Sequence, residues 1–187
     1  MNRTDRRHPH PPSRARLLSF LADALTASRL LLAAFLAWLG ASAGRAGLTV
    51  AVGLIMVGWT ADTLDGHMAK WAGCEGQTLL GRHDVTVDMV FSTGGLAYFA
   101  LAGFISTWLA VAYLAVAAGL LVLFPLRSMA IVIQAPAAVL PVAVGLGHEP
   151  ALGLAVIAWA LLLLLVDRRR FAWRLAHFWR GLADAFK

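Results

Sequence analysis

The sequence predicts an all-α integral membrane protein with six transmembrane helices, flanked by amphipathic helices at the cytoplasmic surface. The first observation is composition: 60% of the 187 residues are hydrophobic, only 14% are charged, and the mean hydropathy is +0.73. A soluble domain is usually nearer half apolar and a quarter charged. The second observation is that the apolar residues fall in long blocks without Asp, Glu, Lys or Arg. Together these features indicate one membrane-embedded domain.

Five uncharged blocks define the predicted spans: residues 30–44, 46–61, 89–126, 128–147 and 150–166. A bilayer core of about 30 Å needs about 20 helical residues. The third block has 38 residues and therefore predicts two spans, which we expect to turn near residues 103–107. The two shortest of the six spans borrow residues from their flanks. Pro136 and Pro141 are expected to kink the fifth span, which membrane bundles tolerate.

Basic segments flank the predicted six-span domain, which covers residues 17–166. Residues 1–16 are rich in Pro, His and Arg, and this composition predicts a segment that is disordered or lies on the lipid surface. The last segment, 167–187, contains three consecutive arginines. Its large apolar residues then recur at helical spacing: Phe171, Leu175, Phe178, Leu182 and Phe186. This pattern is typical of an amphipathic helix that lies in the headgroup plane.

The basic residues predict the orientation in the membrane. Of the 16 Lys and Arg residues, 15 fall in segments that six spans bring to one side, and only Arg45 falls on the other. Because cytoplasmic segments carry the excess of Lys and Arg, both termini are predicted to be cytoplasmic, in a bacterial inner membrane. The net charge of +6 then reflects topology and attraction to anionic headgroups. It gives no reason to expect a nucleic-acid partner.

Four acidic residues lie within 27 residues, at the cytoplasmic ends of the second and third spans: Asp62, Asp65, Asp84 and Asp88. At about 100° per residue, a helix places the first pair on one stripe and the second pair on another. Gly66 and Ala69 fall on the first stripe, and Gly81 falls on the second. Small residues there let another group approach the backbone. The spacing therefore predicts two helices that each present two carboxylates to a shared pocket.

This carboxylate cluster predicts a cation site, because four facing carboxylates cannot all stay ionised without positive charge. Oxygen ligands suit hard cations such as Mg²⁺ and Mn²⁺, and the single cysteine excludes a Cys-rich site. Cations held in this way usually serve phosphate chemistry. A structural alternative is that the acids cap helix ends or pair with Lys70, Arg82 and Arg29. Because ionisable groups within a membrane are functional by default, we favour a metal site facing the cytoplasm.

Residues 62–88 resemble the signature of the CDP-alcohol phosphotransferase family. That signature reads Asp-x-x-Asp-Gly-x-x-Ala-Arg, about eight further residues, then Gly-x-x-x-Asp-x-x-x-Asp. Its place between the second and third of six spans also agrees with the family. The segment "DALTASR" (23–29) is similar to the Asn-x-Leu-Thr-x-x-Arg that often precedes the first span there.

The resemblance implies a phospholipid-synthesis enzyme that transfers a phosphatidyl or substituted phosphoryl group from a CDP-linked donor, such as CDP-diacylglycerol, to an alcohol, releasing CMP. It implies two divalent ions, Mg²⁺ or Mn²⁺, and a homodimer. The implied metal ligands are Asp62, Asp65, Asp84 and Asp88. Asp88 would also act as general base on the incoming hydroxyl. The implied donor-binding residues are Gly66, Ala69, Lys70 and Gly81.

The sequence departs from the family pattern on the donor side. Lys70 replaces the family's arginine, which keeps the charge but loses the bidentate fork suited to a diphosphate. Ten residues separate Lys70 from Gly81, and Gly81 precedes Asp84 by three positions instead of four. Arg82 and Arg127 are candidate ligands for a phosphate on the acceptor, although positive-inside topology also explains them.

Two other functions stay open at the level of sequence. One is a catalytically degenerate family member that acts as a protein partner, which the departures at Lys70 and Gly81 suggest. The other is a small transporter that uses the acids as a cation site. Such transporters often carry inverted repeats with half-sites in both halves. We find no internal repeat in this sequence, and the enzyme is therefore favoured.

Overall fold

The computed structural model describes residues 13–71, 83–123 and 127–166. Helices account for almost all of these residues and no β-strand occurs among them, so the predicted all-α class is confirmed. The six α-helices are α1 Ser13–Ala43, α2 Leu48–Trp71, α3 Asp84–Leu101, α4 Thr107–Leu123, α5 Arg127–His148 and α6 Pro150–Val166. The predicted amphipathic helix at 167–187 lies outside the described residues, as do residues 1–12.

Each predicted span overlaps one α-helix, and α1 and α2 extend well beyond their uncharged blocks. The long uncharged block divides as expected, because α3 ends at Leu101 and α4 begins at Thr107. Helix α1 begins at Ser13, four residues before the predicted start of the membrane domain at residue 17. Serine is a favoured residue at helix starts, and the Arg-Ala-Arg that follows has high helix propensity. Helix α5 continues through both Pro136 and Pro141.

Within the described ranges, one helical stretch is long and apolar enough to cross a membrane, Leu17–Met68. It contains most of α1 and α2 together with the turn that joins them. Three further apolar helical segments are shorter: Thr107–Leu123, Ala137–His148 and Pro150–Val166. The finding is consistent with membrane association, and six separate spans stay a prediction.

Two glycines reverse the chain at the end of the bundle opposite the aspartates. Gly44 has φ +55° in the short 3₁₀ turn Gly44–Gly47 between α1 and α2, and Gly103 has φ +74° between α3 and α4. Glycine adopts these left-handed conformations without a Cβ clash. Arg45 links the two turns, since its Nη2 atom donates a hydrogen bond to the Gly103 carbonyl at 2.7 Å.

Helix α1 is the centre of the bundle. It packs extensively against α2 and α3, whereas α2 and α3 contact each other only slightly. Glycines allow the close approach of α1 and α3. A Cβ atom on Gly94 would lie 2.6 Å from Cα of Ala33, and one on Gly40 would lie 2.9 Å from Cα of Tyr98. Helix α1 is therefore held between the two helices that carry the aspartates.

The remaining helices enclose this three-helix centre only in part. Helices α5 and α6 pack against each other, and glycines again allow close contact, since a Cβ atom on Gly145 would lie 2.9 Å from Cα of Gly153. Helix α4 packs loosely and buries only Ala110 and Ala117. Large apolar side chains are consequently exposed on α4 and α6, including Trp108, Val122, Leu162 and Leu165.

Candidate metal centre

Arg29 of α1 lies at the centre of the four aspartates. Its Nη1 atom is 2.9 Å from Oδ1 of Asp62 and also contacts Oδ1 of Asp88. Its Nη2 atom is 2.7 Å from Oδ2 of Asp65 and 2.8 Å from Oδ1 of Asp84. The structure thus brings the four predicted carboxylates together, with a guanidinium between them. It also shows the pairing with Arg29 that the structural alternative allowed.

The positions of the aspartates on their helices explain this convergence. Asp62 and Asp65 are three residues apart near the end of α2, and Asp84 and Asp88 are four apart at the start of α3. Residues at these spacings are neighbours on a helix surface. Both helices pack on α1, and Arg29 extends from α1 into the space between the two pairs. Asp84 in the first turn of α3 also interacts favourably with the helix dipole.

Solvent exposure varies strongly across the cluster. The side chain of Arg29 is 1% exposed and that of Asp65 is 8% exposed. The other three carboxylates are more accessible, at 29% for Asp88, 33% for Asp62 and 44% for Asp84. The cluster therefore has a closed side at Arg29 and Asp65 and an open side at the other three aspartates.

Thr26 completes the closed side. Its hydroxyl lies 2.9 Å from Oδ2 of Asp65 and 3.1 Å from the carbonyl oxygen of Ala22, one turn earlier in α1. Thr26 is 3% exposed. A buried carboxylate is costly unless it is paired and hydrogen-bonded. Asp65 meets both conditions, because Arg29 and Thr26 contact the same carboxylate oxygen.

Three of the aspartates form a group that fits a metal ion. One carboxylate oxygen from each of Asp62, Asp84 and Asp88 lies within 4.8 Å of the others, and all three residues are partly buried. Carboxylate oxygens are the ligands that Mg²⁺ and Mn²⁺ prefer. Asp65 is not in this group. The donor set therefore fits one hard divalent cation on the open side of the cluster.

The charges in the cluster do not balance with Arg29 alone. Among the described side chains of the salt-bridge cluster, four carboxylates and one guanidinium sum to −3 when all are ionised. Like charges at this separation repel strongly away from bulk water. The imbalance gives a physical reason for the cluster to bind additional positive charge.

The structure describes the other predicted site residues only in part. Gly66 is partly buried in α2, next to Asp65. Ala69 and Lys70 belong to α2 and Arg127 is the first residue of α5, but their side chains lie outside the described part of the chain. The predictions for Gly81 and Arg82 fall outside it as well.

Sequence reasoning gave no site role to Thr26 and treated Arg29 only as a possible ion-pair partner. Both residues belong to the segment "DALTASR" (23–29), and their spacing of three places them on one face of α1. An arginine that directly precedes a long uncharged stretch of its helix is itself a signal, because a charge at that position needs a partner. The positions of the four partners, however, depend on helix packing.

Comparison with known protein families, curated proteins and solved structures finds no match to this chain.

Proposed function

We propose that this protein is a divalent-metal-dependent membrane enzyme of the CDP-alcohol phosphotransferase type. It would transfer a phosphatidyl or substituted phosphoryl group from a CDP-linked donor, such as CDP-diacylglycerol, to an alcohol. The observation that carries the proposal is the meeting of Asp62, Asp65, Asp84 and Asp88 from two helices around one point. The transfer reaction itself is inferred from the resemblance of residues 62–88 to the family signature.

In this reaction the alcohol oxygen attacks the lipid-side phosphorus of the donor. The bond from that phosphorus to the bridging oxygen breaks, and CMP leaves with this oxygen and its electron pair. Asp88 accepts the hydroxyl proton, a role that its partly exposed carboxylate permits. A divalent ion held by Asp62, Asp84 and Asp88 would supply positive charge for phosphoryl transfer. By resemblance, Gly66, Ala69, Lys70 and Gly81 contact the donor.

Membrane embedding belongs to the same proposal. We propose that all six helices cross the bilayer, with the aspartates and both termini on the cytoplasmic side. Helix α4 supports this arrangement, because Trp108 is 81% and Val122 82% exposed. A soluble protein rarely leaves large continuous apolar surfaces exposed to water. A CDP-linked lipid donor would reach the aspartates from the cytoplasmic surface of the membrane. Arg82 and Arg127 are candidate contacts for a phosphate on the acceptor.

A second candidate function has its own supporting observation. Arg29 gives every one of the four aspartates a partner without any metal. A catalytically degenerate member that acts as a partner protein would need only such an ion-pair network. The grouping of one oxygen from each of Asp62, Asp84 and Asp88 within 4.8 Å favours the enzyme, because an ion-pair network alone does not need this grouping.

The test is CMP release by the purified full chain in detergent or nanodiscs. We expect release from CDP-diacylglycerol in the presence of Mg²⁺ or Mn²⁺ and one member of a panel of alcohols. Candidate acceptors are glycerol phosphate, inositol phosphate and serine. Chelation with EDTA should abolish release, and so should Asp88→Asn.

Glu149→Gln is the matched control for removal of one negative charge. Glu149 lies at the opposite end of the bundle, where its carboxylate is 3.3 Å from the hydroxyl of Thr49. This variant should keep wild-type release. Metal-independent release, or full release by Asp88→Asn, would contradict the assigned chemistry. Absence of CMP release with every acceptor, whether or not metal binds, would favour the degenerate member.

A further inference from the structure

We propose that Arg29 is a resident cation that competes with divalent metal for the aspartates on the open side of the cluster. When metal binds, Arg29 keeps its contact with Asp65 and gives up Asp62, Asp84 and Asp88. Asp65 is then a positioning residue for Arg29, which differs from the metal-ligand role that the family resemblance implies. The inference rests on the metal site of the proposed function and does not depend on the transfer reaction.

The first observation is that the two cations share their ligands. The aspartates whose oxygens are grouped within 4.8 Å are Asp62, Asp84 and Asp88, and each of them also contacts Arg29. A divalent ion binds carboxylate oxygens at about 2.0–2.6 Å. Arg29 nitrogens already lie 2.9 Å and 2.8 Å from oxygens of Asp62 and Asp84. Two cations that close repel each other strongly where water is scarce.

The second observation is the separate environment of Asp65. It is the most buried of the four carboxylates, it lies outside the metal-fitting group, and it contacts both Arg29 and Thr26. Asp65 is therefore available to pair with Arg29 while a metal ion on the open side uses the other three aspartates as ligands. Retaining this pair keeps both buried charges compensated, which the low exposure of Arg29 requires.

The third observation is that the guanidinium is not fully bonded. The Nε atom of Arg29 is buried and has no hydrogen-bond partner among the described residues. A buried donor without a partner raises the free energy of the conformation that contains it. The guanidinium therefore loses less on leaving the open side than one with all its donors satisfied. Its position in the structure therefore favours replacement of the guanidinium by a divalent ion.

The experiment measures Mn²⁺ affinity by calorimetry and thermal unfolding in EDTA and in saturating Mn²⁺, without donor or acceptor. We compare wild type, Arg29→Gln and Arg29→Lys, with Arg45→Gln as the control for loss of an arginine elsewhere. Arg29→Gln should unfold at a lower temperature in EDTA and bind Mn²⁺ about tenfold more tightly, within the usual range of coupling between two ligands. Saturating Mn²⁺ should recover most of the lost unfolding temperature.

Arg29→Lys keeps the positive charge. It still tests the competition with Mn²⁺ if Arg29→Gln does not fold. One ammonium cannot reproduce the two-nitrogen contacts of a guanidinium, so its Mn²⁺ affinity should lie between wild type and Arg29→Gln. Asp62→Asn should weaken Mn²⁺ binding far more than Asp65→Asn. Arg45→Gln should bind Mn²⁺ as wild type does.

Mn²⁺ affinity that is unchanged or weaker in both Arg29 variants would overturn the inference. Equal losses in Asp62→Asn and Asp65→Asn would overturn the role of Asp65. These outcomes are distinguishable from failure of the proposed function. Competition between Arg29 and Mn²⁺ without CMP release would reject only the transfer reaction, whereas metal-dependent CMP release with unchanged affinity in the Arg29 variants would reject only the competition.

Discussion

The hydroxyl of Thr26 lies 2.9 Å from Oδ2 of Asp65, at the most buried point of the aspartate cluster. This contact joins α1 to α2 where water does not reach. A hydrogen bond to a charged group contributes about 1.5–3 kcal/mol. Thr26→Val preserves the side-chain shape and removes the donor. We therefore expect it to lower the unfolding temperature in detergent by about 3–12 °C, at about 2–4 °C per kcal/mol for a chain of this size.

Thr60→Val is the matched control for Thr26→Val. The hydroxyl of Thr60 donates to the carbonyl of Met56 in its own helix, at 2.7 Å. Such bonds within a helix contribute little to stability, so the unfolding temperature should change by no more than about 2 °C. Equal shifts for the two variants would mean that the contact between Thr26 and Asp65 is not stabilising.

Gly94→Ala tests the close approach of α1 and α3. The added Cβ would lie 2.6 Å from both Cα and the carbonyl oxygen of Ala33, and backbone atoms cannot move aside cheaply. Overpacking of this kind costs about 1–3 kcal/mol. The variant should unfold at a lower temperature and bind Mn²⁺ more weakly, because α3 carries Asp84 and Asp88.

Gly53→Ala controls for the change from glycine to alanine in a helix. Among the described residues, no atom beyond its chain neighbours and its own helix backbone lies within 4 Å of the added Cβ. Alanine also has the higher helix propensity, by about 1 kcal/mol. Its unfolding temperature should equal or exceed that of wild type. A wild-type unfolding temperature for Gly94→Ala would show that α1 and α3 are farther apart than described.

Asp84→Asn should have opposite effects on stability and on metal binding. Asp84 is the most exposed aspartate of the cluster, and its removal leaves Arg29 with three carboxylates. Less repulsion among the remaining charges should raise the unfolding temperature in EDTA. Loss of a ligand should reduce the further rise that Mn²⁺ produces. Binding sites often give up stability for function in this way.

The readout for Asp84→Asn is a pair of unfolding curves, in EDTA and in saturating Mn²⁺. Glu149→Gln should leave both curves close to those of wild type. A lower unfolding temperature for Asp84→Asn in EDTA would indicate that its pairing with Arg29 outweighs the repulsion among the carboxylates.

We expect removal of a tyrosine hydroxyl to have opposite effects on stability at two positions. The Tyr98 hydroxyl donates to the carbonyl oxygen of Gly44 at 3.2 Å. The Tyr113 hydroxyl is buried without a hydrogen-bond partner among the described residues. Tyr98→Phe should cost about 1 kcal/mol, and Tyr113→Phe should be neutral or stabilising. Thermal unfolding checks both, and an equal loss in Tyr113→Phe would reveal a bonded partner such as a lipid or water.

The all-α class and the helix order followed from the sequence because both depend on local patterns. The uncharged block 89–126 predicted two helices with a turn near residues 103–107, and α3 and α4 lie on either side of that turn. The start of α1 was placed too late, because the basic composition of residues 13–16 obscured their helix propensity. Six separate spans stay a prediction, since length and hydropathy identify one crossing stretch.

The pairing of aspartates within α2 and within α3 also followed from the sequence. Spacings of three and four residues determine which side chains share a helix face, whatever the helix packs against. The sequence did not predict that α1 lies between these two helices. Close contacts at Gly94 and Gly40 produce that arrangement, and sequence spacing within one helix carries no information about its neighbours.

By itself, the sequence determined that two helices each carry two carboxylates on one face, because helical periodicity is a local property. Only the tertiary structure decided that Arg29 lies among them, with partners 33, 36, 55 and 59 residues away along the chain. Only the tertiary structure, too, separated Asp65 from the other three by burial. Burial and long-range ion pairs depend on which helices pack together, and this is a property of the whole bundle.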